Sequence, residues 1–450
     1  MQDLTTGSLT KHLLKTTGFM LVTMLFQTLY VLVDLYWVGR LGTAAVAAVA
    51  ISGNLMFVVL AATQMLAVGT TTLVAHAVGR RDHERATVIF NQAQVLSTLV
   101  GIVFLAVMMA LRRPYAEAMS ADAATMQLAL DYLSWMIPAM ALQFTLIAMS
   151  AGLRGTGNFR PGMVVQTATV IINIVLAPFL IFGWVSGIAM GIVGAAVASF
   201  VAILIGIVWL TWYFLPADSY LKFRPAAWKP DFALWRKMLT IGLPSGGEFA
   251  LMSVYLVLVY AVTRPFGSAA QAGFGIGMRI LQAGFLPVVA LGFAVAPVAG
   301  QNFGARRADR VRQTFRDAAI LASSTMLALA IAVWLFGDVM VRVFSSDPQV
   351  IAVGVDYLHI IGWSFVLSGI VFVSSSMFQA MGNTMPSFLS SIARLVIIAV
   401  PVILLAQSPG FALRWIWYIS VAAVVVQLAI NLSLLRREFR IRLAFGPAPA

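Results

Sequence analysis

The chain has 450 residues, of which 61% are hydrophobic and 10% charged, and it carries a formal net charge of +13. Soluble proteins carry about 25% charged residues to meet water, so this composition, with a mean hydropathy of +0.94, excludes a soluble enzyme, a disordered chain and a nucleic-acid-binding module. The absence of cysteine excludes disulfides, thiolate metal sites and thiol catalysis.

A helix needs about 20 mostly apolar residues to cross a bilayer. Twelve such runs follow one another: 16–39, 44–76, 87–111, 126–152, 161–183, 188–215, 237–263, 269–301, 315–336, 349–380, 386–406 and 412–435. They are continuous, whereas a transmembrane barrel would alternate over segments of about ten residues. The first run leads directly into Asp34 and Arg40 with no small-residue cleavage site, so it is read as a retained helix and not as a signal peptide. The expected fold is an all-α polytopic membrane protein with 12 transmembrane helices. Its expected parts are an N-terminal six-helix bundle over 1–215, a polar linker over 216–236 containing Pro216, Pro225 and Pro230, and a C-terminal six-helix bundle over 237–450.

Lysine and arginine set the orientation, because cytoplasmic loops are enriched in them. Of the 29 basic residues, 21 fall in the loops that share a side with both termini and 6 in the alternate loops; Arg279 and Arg394 lie inside spans. This asymmetry predicts cytoplasmic N- and C-termini. It also accounts for the basic balance without a nucleic-acid partner.

Shifting the chain by 225 residues superimposes an ordered series of short strings. AVGRRDHERA (77–86) falls on NFGARRADRV (302–311), Ser120-Ala121-Asp122 on Ser345-Ser346-Asp347, and Asp131-Tyr132-Leu133 on Asp356-Tyr357-Leu358. Gly157-Asn158 and Pro161 fall on Gly382-Asn383 and Pro386. Six spans per repeat is an even number. The repeats are therefore parallel and related by a pseudo-twofold axis along the membrane normal, the build of many alternating-access carriers. Gly157 and Gly382 are expected at equivalent turns, as are Gly79 and Gly304.

Ionisable groups inside a bilayer are costly and mark function by default. Four lie within spans: Asp34, Glu248, Arg279 and Arg394. Asp34 lies six residues before Arg40, roughly 9 Å below the outer surface, and Glu248 sixteen before Arg264, roughly 24 Å below it. Asp34 is the expected coupling group, desolvated by neighbours such as Val31, Val33 and Leu35, with Asn173 as a hydrogen-bond partner. Glu248 and Arg279 are expected to form an ion pair across the second bundle or to take part in binding. Arg394 is expected to snorkel or to bond to carbonyls. Gln27, Tyr30, Gln64 and Gln282 are further polar candidates, although a lone buried amide more often joins helices than binds a ligand. The four histidines show no metal spacing, and no nucleophile–base constellation or phosphate loop is present. No enzyme, metal or cofactor is expected.

These motifs resemble the multidrug and toxin extrusion (MATE) transporters, and among them the DinF-like bacterial branch. FQTLYVLVDLYWVGRLG (26–42) is similar to that family's first helix, and LRGTGNFRPGM (153–163) to its loop between helices 4 and 5. PVAGQNFGARRADRV (297–311) and FQAMGNTMPSF (378–388) resemble the matching segments of its second half. The resemblance implies a 6+6 bundle pair in the bacterial inner membrane that exports cationic, amphipathic small molecules in exchange for H⁺, or alternatively Na⁺, and acts as a monomer in the bilayer. It carries the family's helix 1 aspartate onto Asp34 and the asparagine of its fifth span onto Asn173. The family's second aspartate falls on Ala177, its helix 7 glutamate near Met252, one turn from Glu248, and its helix 10 aspartate near Ser368. Two alternatives remain open at this point. One is a major-facilitator-type carrier. The other is a lipid-linked oligosaccharide flippase of the same superfamily, which Arg279 and Arg394 would suit.

Overall fold

The computed structural model describes residues 2–184, 187–216 and 219–445. Residues 1 and 185–186 of the expected first bundle, 217–218 of the linker and 446–450 of the second bundle lie outside the described residues. The described residues form thirteen α-helices and no strand. In the first half these are α1 (Leu9–Gly39), α2 (Thr43–Gly79), α3 (His83–Met119), α4 (Ala123–Gly155), α5 (Phe159–Phe182) and α6 (Ile192–Phe214). After a 3₁₀ turn at Pro225–Ala227 come α7 (Phe232–Thr263), α8 (Ser268–Gly304) and α9 (Ala308–Arg342). The chain ends with α10 (Pro348–Gly362), α11 (Phe365–Ala380), α12 (Met385–Leu405) and α13 (Leu413–Arg442).

Eleven of these helices are long and apolar enough to cross a membrane, and α10 with α11 makes a twelfth, bent by 59° at its break. The protein is thus a polytopic membrane protein. The run expected as one continuous span over 349–380 is a broken one. At Trp363–Ser364 the backbone tightens: Trp363 N–H donates to the Ile360 carbonyl at 3.3 Å and Ser364 N–H to the Ile361 carbonyl at 2.8 Å. The Ser364 hydroxyl donates to the same Ile361 carbonyl at 2.8 Å. A serine that competes for backbone carbonyls weakens the regular α-ladder, and three-residue bonds turn the axis.

The 225-residue repeat is written into the backbone. Helix α2 maps onto α8, and α4 maps onto α10 plus α11, with both ends coincident. Gly79 and Gly304 both end helices. The turn residues carry the same positive φ in both halves: Gly42 at 111° and Gly267 at 90°, Gly157 at 75° and Gly382 at 72°. Even the two non-glycine residues in the left-handed region are a matched pair, Arg81 at 61° and Arg306 at 56°. Asp122 caps α4 by accepting from Thr125 N–H at 2.7 Å. Its counterpart Asp347 caps α10 by accepting from Gln349 N–H at 2.8 Å. Each cap satisfies an amide that the first helical turn leaves open.

The chain divides into two compact units, Gly18–Gly246 with a stretch ending at Asp3, and Leu4–Thr17 with Gly247 onward. These limits differ from the expected parts, because α1 and α7 are continuous helices whose early turns pack apart from the rest. In the first unit Asn91 and Gln92 of α3 hold the linker. The Asn91 amide donates to the Lys222 carbonyl at 2.7 Å, and its oxygen accepts from Arg224 N–H and Trp228 Nε1–H, both at 2.9 Å. Gln92 donates to the Ala227 and Lys229 carbonyls at 2.6 and 2.7 Å. In the second unit the buried Leu4 donates its N–H to Gln301 Oε1 at 3.0 Å, and Arg307 donates to the Thr5 carbonyl at 2.7 Å.

Candidate functional site

Each unit holds a cavity among its own helices. The first unit's cavity measures about 140 Å³ and is lined by Gln27 and Tyr30 of α1, Gln143 of α4, Gln166, Thr169 and Asn173 of α5, and Ser199 of α6. Ser199 is the hub. Its hydroxyl lies 2.9 Å from the Tyr30 hydroxyl, accepts from the Asn173 amide at 2.9 Å, and donates to the Ala195 carbonyl at 3.2 Å. With its single proton spent on Ala195, Ser199 accepts from both Asn173 and Tyr30. Gln166 donates to Ser150 at 3.1 Å, and Gln27 reaches Gln166 Oε1 at 3.4 Å.

Asp34 lies one helical turn beyond Tyr30 and is buried, at 8% relative exposure. Its Oδ1 is sealed from solvent and has no hydrogen-bond partner. The carboxyl is within electrostatic reach of the Tyr30 and Tyr132 hydroxyls. Two expectations need correction here. Val31 and Leu35 do not bury Asp34, since they are themselves 60% and 47% exposed. And Asn173 bonds to Ser199, not to Asp34, because α5 presents it to α6. Arg40 donates to the Tyr36 hydroxyl at 2.7 Å and lies over the Tyr36 ring, away from Asp34. Gln64 is half-buried and lines neither cavity.

The second unit's cavity is larger, about 490 Å³, and its polar lining includes Glu248 and Tyr255 of α7, Gln282 of α8, Ser364 and Ser368 beside the broken span, Arg394 of α12 and Gln427 of α13. Ser387 donates to Glu248 at 2.5 Å and lies 2.6 Å from the Ser375 hydroxyl. One hydroxyl has one proton, so this chain has two wirings. With Glu248 ionised, Ser375 donates to Ser387 and Ser387 to the carboxylate. With Glu248 protonated, the carboxyl donates to Ser387 and Ser387 to Ser375.

The expected ion pair of Glu248 with Arg279 is not formed. Arg279 is exposed and lines neither cavity. The hydrogen-bond partner of Glu248 is instead Ser387 of α12. Arg394, expected to snorkel or to bond to carbonyls, instead lines this cavity with its guanidinium 5.9 Å from the Tyr255 ring centre. At the helix ends, Asp131 accepts from Gln127 at 2.9 Å and Asp356 is gripped by Arg414, so neither enters a cavity. Among the described residues, no group of three or more acidic or histidine side chains could hold a metal ion.

Ser199, Tyr132, Tyr255, Ser387 and Gln427 were not singled out by residue type, since hydroxyls and tyrosines in spans are commonplace. The offset could have found the tyrosines: Tyr30 maps onto Tyr255, and Tyr132 onto Tyr357.

The MatE family profile matches residues 20–179 and 244–405, one segment in each repeat. The chain belongs to the MatE family. It is 24% identical over 410 residues to the multidrug export protein MepA of Staphylococcus haemolyticus, covering 90% of this chain and 89% of that protein. It is 26% identical over 414 residues to the probable multidrug resistance protein YoeA of Bacillus subtilis, covering 91% and 89%. A solved structure of a MOP superfamily transporter from Pyrococcus furiosus has the same fold, with a TM-score of 0.89, 24% identity and 98% of each chain covered. Membership of the MatE family sets the major-facilitator alternative aside. With Arg279 outside both cavities, the flippase alternative loses half of its basis.

Proposed function

We propose that this MatE protein is a secondary active antiporter. It exports cationic, amphipathic small molecules by alternating access in exchange for H⁺, from a bacterial inner membrane with both termini in the cytoplasm. The observation that carries the reading is Asp34: a buried carboxyl, without a hydrogen-bond partner on Oδ1, one turn from a polar cavity. A carboxyl so placed has two useful states. Ionised, it attracts a cation to the cavity rim. Protonated, it withdraws that attraction, so proton entry and cation release favour each other. Tyr30 joins the two places, since it lies within electrostatic reach of Asp34 and bonds to Ser199 in the cavity. Proton coupling requires one titratable group, whereas Na⁺ takes several oxygen ligands at once, and among the described residues no group of three or more acidic or histidine side chains that could hold a metal ion includes Asp34. The names of the relatives MepA and YoeA support export of more than one compound.

The test is counter-flux in proteoliposomes with a pH gradient and a Na⁺ gradient imposed separately. The pH gradient alone should drive accumulation of a fluorescent organic cation. Asp34→Asn should fold and insert yet fall to the level of protein-free vesicles. Uptake driven equally well by Na⁺ without a pH gradient, or an Asp34→Asn variant at the wild-type rate, would overturn the reading.

A further inference from the structure

We propose that the cavity of the second unit is a ligand pocket in its own right, selective for an amphipathic molecule that carries both a cationic and an anionic group. Its volume of about 490 Å³ lies within the range of small-molecule sites, about 300–1,000 Å³. It contains one acid and one base, Glu248 and Arg394, which form no ion pair with each other or with another described residue. Opposite charges in a low-dielectric enclosure attract strongly, so their separation has to be imposed. The structure supplies the restraints: Ser387 fixes Glu248, and the Tyr255 ring carries the Arg394 guanidinium. With Glu248 ionised, the cavity therefore presents a dipole.

A ligand with a single charge would satisfy one end and leave the other buried and unpaired, which is costly. A lipophilic cation would in addition face Arg394. Only a dipolar ligand satisfies both ends, so the pair discriminates by repulsion as well as by attraction. Two further observations point to a ligand. Gln427 is 97% buried, and its Oε1 has no partner, although the residue lines the cavity. The broken span α10–α11 also opens here, with Ser364 at the break. Non-helical backbone at membrane depth is tolerated where it lines a cavity, and discontinuous helices mark binding sites in carriers.

The test uses the full-length protein in nanodiscs and three arylalkyl probes on one skeleton: a trimethylammonium, a carboxylate, and a betaine bearing both groups. Binding is measured calorimetrically under mildly alkaline conditions, in which Glu248 is ionised, with no gradient, so it is independent of proton coupling at Asp34. The betaine should bind at least about ten-fold tighter than either singly charged probe, a difference of about 1.4 kcal/mol. Arg394→Gln should erase the preference over the ammonium probe, and Glu248→Gln the preference over the carboxylate. Arg394→Lys should restore the wild-type order, and Arg279→Gln should leave it unchanged. An ammonium probe that binds wild type as tightly as the betaine would overturn the proposal, as would an Arg394→Gln variant with the wild-type order. Should Arg394→Gln fail to fold, the ranking of the three probes on wild type decides by itself.

Discussion

The two bundles share a frame and differ in charge. Tyr30 and Tyr255 occupy equivalent positions and line their respective cavities, and Tyr132 and Tyr357 are both buried. Ser150 and Ser375 also correspond, and each hydrogen-bonds a side chain from the following helix of its bundle. The ionisable groups inside the spans, by contrast, have no counterparts. Asp34 corresponds to Val259, Glu248 to Thr23 and Arg394 to Thr169. The hydroxyl–amide pair Ser199 and Asn173 corresponds to Val424 and Ile398. The continuous α4 corresponds to the broken α10–α11 pair, with Pro138 at the position of Trp363. Duplication has kept what the backbone needs and released what a ligand sees. A turn glycine answers to the chain itself, whereas a cavity residue answers only to its contents. The duplicated tyrosines lie between, as fixed polar struts beside which new charges could be placed.

The sharpest way to break this comparison is at the duplicated tyrosine. Tyr132 meets Ser52, while the equivalent Tyr357 packs on Gly277, where an added Cβ would collide with the ring. Gly277→Ala should therefore cost about 1–3 kcal/mol by overpacking, seen as a lower melting temperature in detergent. Ser52→Ala should cost about 1 kcal/mol or less, the worth of one hydrogen bond. Equal losses would mean that the two tyrosines are held in the same way.

A smaller effect separates Tyr30 from Tyr255. Tyr30→Phe removes the bond to Ser199 and should cost about 1 kcal/mol, whereas Tyr255→Phe keeps the ring beneath Arg394 and should be close to neutral. Thermal melts of both variants would check this, and a reversed order would remove the hub role from Ser199.

The matched left-handed arginines offer a test in the other direction. Arg81→Gly and Arg306→Gly should each relieve a backbone conformation that is unfavourable for L-residues by about 1 kcal/mol. Both should be neutral to slightly stabilising, by similar amounts. The smallest effect concerns Asp122, whose carboxyl is held below the usual carboxylate range by the Thr125 N–H and hydroxyl. With its folded pKa depressed, its contribution is present above the unfolded pKa and is lost as pH falls through the folded one. Melting temperatures of wild type and Asp122→Ala should differ slightly at pH 7 and converge under strongly acidic conditions.

Much of the architecture was legible from residues alone. Hydropathy is a sum along the chain, and a span's length is fixed by the bilayer, so membrane class and run count need no coordinates. A turn that demands positive φ is a local requirement, so the series from Gly42 with Gly267 to Gly157 with Gly382 was visible as a repeat. Asp34 stood out because a charge inside a span is costly wherever it points.

Tertiary structure alone decided which charges meet. Around a helix in a bilayer both the lipid-facing and the core-facing sides are apolar, so the amphipathic stripe that orients a soluble helix is missing. Arg279 and Arg394 looked alike along the chain; packing turned the first outward and the second into a cavity with Glu248. Asn173 and Asp34 looked like partners; packing gave Asn173 to Ser199 and left Oδ1 of Asp34 unbonded. The break at Trp363–Ser364 was equally hidden, since a run of apolar residues carries the same hydropathy whether it is straight or bent. Facing and bending depend on contacts between residues far apart in the chain, and only the folded packing supplies those.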